Sequence, residues 1–240
     1  MRLGQTKPNR LLSADENDAR WDAYSLDLLA DQHPLALFDQ RWLWERPLYA
    51  RVSSRVRAGG RILEVGCGLG ANAVWFAAQG YEVVGVDYRP TLVDAARAIT
   101  AELRVDCSFA VADAFDLSAH RGFDLAISFG MIEHWTRPDT VRALREQAAS
   151  ARQVVAIVPT PNTHYTGEIT DERFYSRRQM REIFLEAGLS NVVSYSYGKV
   201  PSRLYRTAEW LLPGPGLKAL RAWTMRFSMA QATFGVAPKL

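Results

Sequence analysis

The chain is short of several things, and each shortage removes a class of explanation. Two cysteines in 240 residues, Cys67 and Cys107, cannot staple a small secreted scaffold. One stands in a glycine-rich loop and the other in an expected strand, so no structural disulfide is expected; both read as small buried hydrophobes in a reducing compartment. Lysine occurs only at positions 7, 199, 218 and 239, so nearly all of the 29 basic residues are arginine. Against 26 acidic residues they leave a net charge of +3, too small an excess to call for nucleic acid as a partner. No apolar run approaches the roughly 20 residues of a membrane-spanning helix, and the N-terminus has no apolar signal core. The expectation is therefore a cytoplasmic protein with no stable membrane insertion. The four histidines (33, 120, 134 and 164) show no paired ligand spacing, so no metal is expected. Internal repeats and low-complexity tracts are missing too.

What is there is an ordinary globular composition, 48% hydrophobic and 23% charged, long enough for one α/β domain with additions. Its centre is the stretch Ile62 to Gly70, ILEVGCGLG. A short apolar strand carrying the acidic Glu64 runs into a loop with Gly66, Gly68 and Gly70, and a helical run, Ala71 to Gln79, follows. Glycines between a strand and a helix let a ligand approach the backbone, and the helix N-terminus adds free N–H groups. The spacing is G-x-G-x-G rather than the G-x-G-x-x-G of dinucleotide binders, and there is no G-x-x-x-x-G-K-[ST] phosphate loop. No Lys or Arg lies between Arg61 and Arg89, which disfavours a pyrophosphate; Glu64 at the mouth suits a ligand carrying positive charge. Asp87, at the end of the next strand (Glu82 to Val86), is placed to accept from ribose hydroxyls.

With these residues assembled, the chain resembles the class I S-adenosylmethionine-dependent methyltransferases of the small-molecule type. The matching segments are ILEVGCGLG, VVGVDYRP (83–90), VADAFDL (111–117) and FDLAISFGMIEHW (123–135), in the expected order and spacing, and the likeness covers roughly Arg61 to Leu189. The resemblance implies S-adenosyl-L-methionine as cofactor, S-adenosyl-L-homocysteine as product, and a seven-stranded Rossmann-like α/β sheet. That sheet would be mostly parallel with an antiparallel last strand, with helices on both faces. It also implies that N-terminal helices cover the cofactor. Residues 1–57 are thus read as a helical extension or lid, and 58–240 as the methyltransferase domain with an insertion at 201–227.

Along the chain, Trp21 to Val56 has a helical pattern broken at His33-Pro34; its aromatics either pack on the sheet domain or, for Trp21 and Tyr24, line the site as a lid. Strand–helix alternation then predicts a parallel sheet. Expected strands are Val105 to Val111, Phe123 to Ser128, Val154 to Val158, Asn191 to Tyr197 and Ala230 to Ala237. A helix from Val141 to Ala149 is expected to be capped by Asp139 or Thr140. Ser176 with Gln179 is a capping-box pattern before a helix with Met180, Ile183, Phe184 and Ala187 on one face. The insertion mixes Arg203, Arg206, Lys218, Arg221 and Arg226 with aromatic and aliphatic residues; it reads as packed helices, a wall for a bulky substrate, a homodimer contact or a basic membrane-facing surface.

Cofactor-binding candidates are Glu64, Gly66, Cys67, Gly68 and Gly70 at the methionine end, Asn72 at the helix start, and Asp87 and Tyr88 for ribose and adenine. By resemblance Asp113 accepts from the adenine amino group, Ala114 meets the ring, and Phe129 and Gly130 lie beside the transferable methyl. The alternative for Asp113 is a turn or capping residue at a strand end, and for Asn72 a helix-start residue. Methyl transfer needs no metal. Positioning supplies roughly 7–11 kcal/mol and a general base about 10²–10⁴-fold. Glu133-His134 resembles the E-H pair of many small-molecule methyltransferases, so His134 is a candidate base, with the alternative that it only packs or bonds backbone. His164 and Tyr165, in the loop PTPNTHYTGEIT (159–170), are alternative bases, and Glu133, Asn162, Trp21 and Tyr24 candidate substrate contacts. No N-P-P-Y or D-P-P-Y follows the fourth strand, which argues against DNA amino-methylation. The expected activity is O- or N-methylation of a small molecule, plausibly in natural-product tailoring. The rivals are a lipid or quinone precursor methylated at a membrane surface, and a cofactor-binding regulator without turnover.

Overall fold

The computed structural model describes residue 23 and residues 33–161, 173–197 and 230–238. Trp21, Tyr24, Asn162, His164, Tyr165 and the 201–227 insertion lie outside them.

Helix α1 spans Pro34–Ser53. His33 caps it, its Nδ1 accepting from the Leu35 N–H at 3.3 Å, and Pro34 occupies the first turn, where a missing N–H is harmless. The expected break at His33-Pro34 is thus a helix start. Next come β1 (Arg61–Val65), α2 (Ala71–Ala78), β2 (Glu82–Asp87), α3 (Pro90–Leu103), β3 (Ser108–Val111) and β4 (Phe123–Phe129). A 3₁₀ turn (Ile132–His134), α4 (Arg137–Ser150), β5 (Ala151–Pro159), α5 (Arg177–Glu186), β6 (Ser190–Tyr197) and β7 (Ala230–Val236) complete the chain.

The strand order is β3-β2-β1-β4-β5-β7-β6. Pairings among β1 to β5 are parallel, and β7 runs antiparallel to both β5 and β6. The seven-stranded sheet with one antiparallel last strand is therefore as expected. Strand alternation splits the core in two. Val155 and Ile157 of β5 join Ile62, Leu125 and Ile127 under α1, α2 and α3. Val154, Ala156 and Val158 join α4 and α5 through Val141, Leu144, Met180, Ile183 and Phe184. Helices thus cover both faces, which is why β4 and β5 read as unbroken apolar runs.

Three starts differ from expectation by three residues or more, β5 beginning at Ala151 rather than Val154. Strand β3 starts at Ser108, not Val105, because α3 closes with Arg104 in the left-handed region (φ 55°) and Val105 donates its N–H back to the Thr100 carbonyl at 3.2 Å. Val105 thereby belongs to the helix end. Helix α4 begins at Arg137, ahead of Val141, and its cap is Thr136 rather than Asp139 or Thr140. The Thr136 Oγ1 accepts from the Asp139 N–H, Pro138 sits harmlessly in the first turn, and the Thr140 hydroxyl donates instead to the Thr136 and Ile132 carbonyls. The Ser176–Gln179 capping box is formed in full. No helix among the described residues is long and apolar enough to cross a membrane.

Candidate functional site

The strand order reverses between β1 and β4, since β1 pairs with β2 on one side and β4 on the other. A crevice opens there at the carboxyl ends of parallel strands. The loops after β1, β2, β3 and β4 meet along that edge. They bring Gly66 to Gly70, Asp87 and Tyr88, Asp113 and Ala114, and Phe129 to His134 to four adjacent strand ends.

The glycine loop is held from several sides. Gly66 and Cys67 donate their N–H groups to the Val86 carbonyl at 2.8 and 3.0 Å, and the Gly68 N–H donates to Asp87 Oδ2 at 2.9 Å. All three glycines have positive φ. A Cβ on Gly66 would fall 2.6 Å from Met131 Sδ, and one on Gly70 2.7 Å from the Phe109 ring, so these two are required by packing. A Cβ on Gly68 would meet nothing within 4 Å: above the middle glycine the loop faces open space.

Glu64 does not stand open at the mouth. It is 1% exposed and lies under the loop, where Oε1 accepts from Asn72 Nδ2 at 2.6 Å and Oε2 from the Ala73 N–H at 2.8 Å. Burial pushes its carboxyl up to about 7, although Asn72, Arg41 and Ala73 pull the other way. Asn72, also buried, accepts from the Tyr49 hydroxyl at 2.6 Å, which ties the start of α2 to α1. Trp42 reinforces the tie by donating Nε1–H to the Ala71 carbonyl at 2.7 Å. Glu64 and Asn72 therefore form one buried strut with Tyr49.

Asp87 is 7% exposed; besides bonding Gly68, its Oδ1 accepts from the Arg89 N–H at 3.1 Å. Tyr88 is 50% exposed, with the Arg89 Cζ 5.9 Å from its ring centroid. Asp113 is exposed and its Oδ1 accepts from the Phe115 N–H at 2.9 Å, so the turn role is present alongside any ligand role. Cys67 and Cys107 are free thiols, and burial raises both, Cys107 to about 12, so neither is a thiolate near neutrality. Phe129 and Gly130 are half-buried at the end of β4. In the 3₁₀ turn behind them Glu133 is buried and His134 half-exposed, and the Glu133 carbonyl accepts from the Arg173 N–H at 2.9 Å. Among the described residues, no group of three or more His, Cys, Asp or Glu is arranged to hold a metal ion.

Residues 62–153 match a family model described as a methyltransferase domain. Over these residues the chain is similar to class I S-adenosylmethionine-dependent methyltransferase domains. It is 32% identical over 108 residues to the magnesium-protoporphyrin O-methyltransferase of Rhodobacter capsulatus, covering 45% of this chain and 48% of that protein. Against the ubiquinone biosynthesis O-methyltransferase of Xanthomonas euvesicatoria pv. vesicatoria (strain 85-10) it is 33% identical over 121 residues, 44% of this chain and 50% of the relative. The chain thus spans about half the length of the curated relatives it matches. Its fold is shared with the magnesium protoporphyrin IX methyltransferase of Synechocystis PCC 6803, solved with S-adenosylmethionine bound. That structure gives a TM-score of 0.63 at 14% identity, covering 94% of this chain and 99% of that one.

In this methyltransferase-like region the glycine loop, Asp87, Tyr88, Asp113, Ala114, Phe129, Gly130, Glu133 and His134 share one edge. Four contributors were missed from sequence: Arg41, Glu45, Tyr49 and Met131. The first three come from α1, and no spacing rule links that helix to a loop more than 15 residues away. Met131 stands within the fourth segment, but only the φ of Gly66 reveals why a thioether lies against it.

Proposed function

We propose that the protein is an S-adenosylmethionine-dependent methyltransferase acting on an oxygen of a small molecule. The observation carrying this reading is the four-loop edge at the strand-order reversal, with open space over Gly68 and no cation in the loop. The residues fit the cofactor. Asp87 would take the ribose hydroxyls, the exposed Tyr88 ring and Ala114 the adenine, Asp113 its amino group, and the backbone of Gly66 to Gly70 the methionine end. When bound, the cofactor supplies a methyl group activated by its sulfonium. The protein then has to position the acceptor and, for a hydroxyl, remove a proton. His134 is half-exposed beside the end of β4, and we assign it that proton, with His164 and Tyr165 as alternatives. Glu64 and Asn72 act from below by shaping the loop. Helix α1, within the 1–57 region read as an extension or lid, borders the site through Tyr49 and Trp42.

Oxygen is preferred over nitrogen because both relatives named above are O-methyltransferases. A specialised acceptor, such as a natural-product intermediate, fits the same site. The ubiquinone-biosynthesis relative supports a second reading, an acceptor of lipid or quinone type reached at a membrane surface. The test uses purified protein, labelled S-adenosylmethionine and a fractionated small-molecule extract. Label in a small water-soluble product supports the first reading and label in the lipid fraction the second. In the second case, neutralising Arg206, Lys218 and Arg221 should abolish liposome binding. Tight cofactor binding with no transfer into any fraction would favour a regulator.

A further inference from the structure

The helix that follows the glycine loop starts without a cap of its own. Gly70, the residue ahead of α2, sits at φ 82° and has no side chain to accept from the first-turn N–H groups. Glu64 supplies that cap from β1 below, its Oε2 accepting from the Ala73 N–H at 2.8 Å. The way the loop enters α2 therefore depends on where the Glu64 carboxyl is held.

A chain of hydrogen bonds with a fixed direction holds it. An arginine can only donate, and the Arg41 guanidinium hydrogen-bonds the Tyr49 hydroxyl. That hydroxyl donates its own proton onward to Asn72 Oδ1 at 2.6 Å. With Oδ1 engaged, the Asn72 amide presents Nδ2 to Glu64 Oε1, again at 2.6 Å. Tyr49, Asn72 and Glu64 are all buried, so water competes for none of these bonds. The Tyr49 ring is held separately, stacked on Trp75 with centroids 4.4 Å apart and edge-on to Phe76 at 5.4 Å. Trp42, earlier on α1, bonds the Ala71 carbonyl on its own account. The hydroxyl is therefore one of several ties between α1 and α2, and the one that leads to Glu64.

We propose that Tyr49 is a positioning residue for the cofactor: its hydroxyl, acting through Asn72 and Glu64, sets the turn from Gly70 into α2 against which the methionine end of S-adenosylmethionine lies. This inference rests on the methyltransferase reading above. Without the hydroxyl, Asn72 Oδ1 loses its buried donor and the amide is free to reverse. Reversal turns an acceptor toward the Glu64 carboxyl, and the Ala73 cap loosens. Part of the cofactor's binding free energy then goes into restoring the turn, so affinity falls.

Calorimetry with S-adenosylhomocysteine on the full chain tests it, comparing the wild type, Tyr49→Phe, Asn72→Ala and the double variant, with near-UV circular dichroism to check folding. Tyr81→Phe is the control: it removes another hydroxyl bonded to α1, at the Ser53 carbonyl 3.4 Å away, without touching Asn72. Tyr49→Phe should weaken binding by roughly 5–50-fold, the range for a lost buried hydrogen bond, while Tyr81→Phe leaves it unchanged. In the Asn72→Ala background Tyr49→Phe should have little further effect, because the two act through one path. Hydrogen exchange supplies a readout that general destabilisation does not reproduce: in Tyr49→Phe the Ala73 amide should exchange faster while the amides of β1 and β4 keep their protection. Wild-type affinity in Tyr49→Phe, an equal loss with and without Asn72, or an equal loss in Tyr81→Phe would each overturn the inference. Should Tyr49→Phe not fold, Asn72→Asp, which keeps the size but loses the amide donor to Glu64, takes its place, and wild-type affinity there overturns the inference too. Failure of the wild type to bind S-adenosylhomocysteine at all would overturn the methyltransferase reading itself.

Discussion

At the scale of single residues, Asp87 and His134 have separable jobs. Asp87 already spends one oxygen on the Gly68 N–H and the other on the Arg89 N–H, so it organises the loop besides the ribose role proposed for it. Asp87→Ala should weaken S-adenosylhomocysteine binding by roughly 10–100-fold in calorimetry, the range for hydrogen bonds to a charged group. Near-wild-type affinity would refute the ribose assignment. His134, to which the proton is assigned, closes the 3₁₀ turn after β4. His134→Ala should lower turnover by about 10²–10⁴-fold with cofactor affinity nearly unchanged. Undiminished turnover would move the proton to His164 or Tyr165. The positions of both were legible in the sequence, because each lies in a recognisable segment, Asp87 at the end of β2 and His134 in the turn after β4. The burial of Glu64 was not: an acidic residue before a glycine loop looks alike whether it points into the crevice or beneath it. The decision is made by Asn72, whose amide waits at 2.6 Å.

At the scale of elements, the glycine loop and β3 are one packed unit. The Phe109 ring lies 2.7 Å from where a Cβ would stand on either Gly70 or Gly85, so it fills the room both glycines leave. Gly70→Ala should destabilise by roughly 2–5 kcal/mol, combining a left-handed alanine at φ 82° with a ring collision. Phe109→Ala alone should cost about 3–5 kcal/mol as a cavity. The two changes share one space, so the double variant in urea melts should be less destabilised than the sum of the singles. Strict additivity would mean that the ring does not set the loop. The helices were readable where their starting signals were local. The Ser176–Gln179 box is self-contained, whereas the cap of α4 is Thr136 rather than the expected Asp139 or Thr140, with Pro138 an ordinary first-turn residue.

Across the whole molecule, α1 gathers buried charge onto the sheet, and that charge makes stability depend on pH. Desolvation, only partly offset by Arg41, raises Glu45 from 4.5 to about 7. The folded carboxyl keeps its proton where the unfolded one has lost it, so the associated stability is fully present below pH 4.5 and is lost as pH rises from 4.5 to 7. Glu64 behaves alike. Glu45→Gln should remove one of these two losses. Relative to wild type, its stability should be higher at pH 8 than at pH 4 by on the order of 1–3 kcal/mol in denaturant titrations. An equal difference at both pH values would show that folding does not raise the Glu45 carboxyl.

The amino-acid sequence alone determined the alternating elements, the seven-strand class of the sheet and the segments at its carboxyl edge. These depend on apolar period, glycine spacing and strand-end acids, all of which act over fewer than about ten residues. Only the tertiary structure decided which side of the loop Glu64 occupies, that Phe109 dictates two glycines, and that α1 sets Arg41 above Phe129 with its buried Nε unmet. The last two arise from contacts between residues from 24 to 88 positions apart, for which a linear chain carries no local signal, while the partners of Glu64 stand only eight and nine positions on but meet it only once the strand, loop and helix have packed.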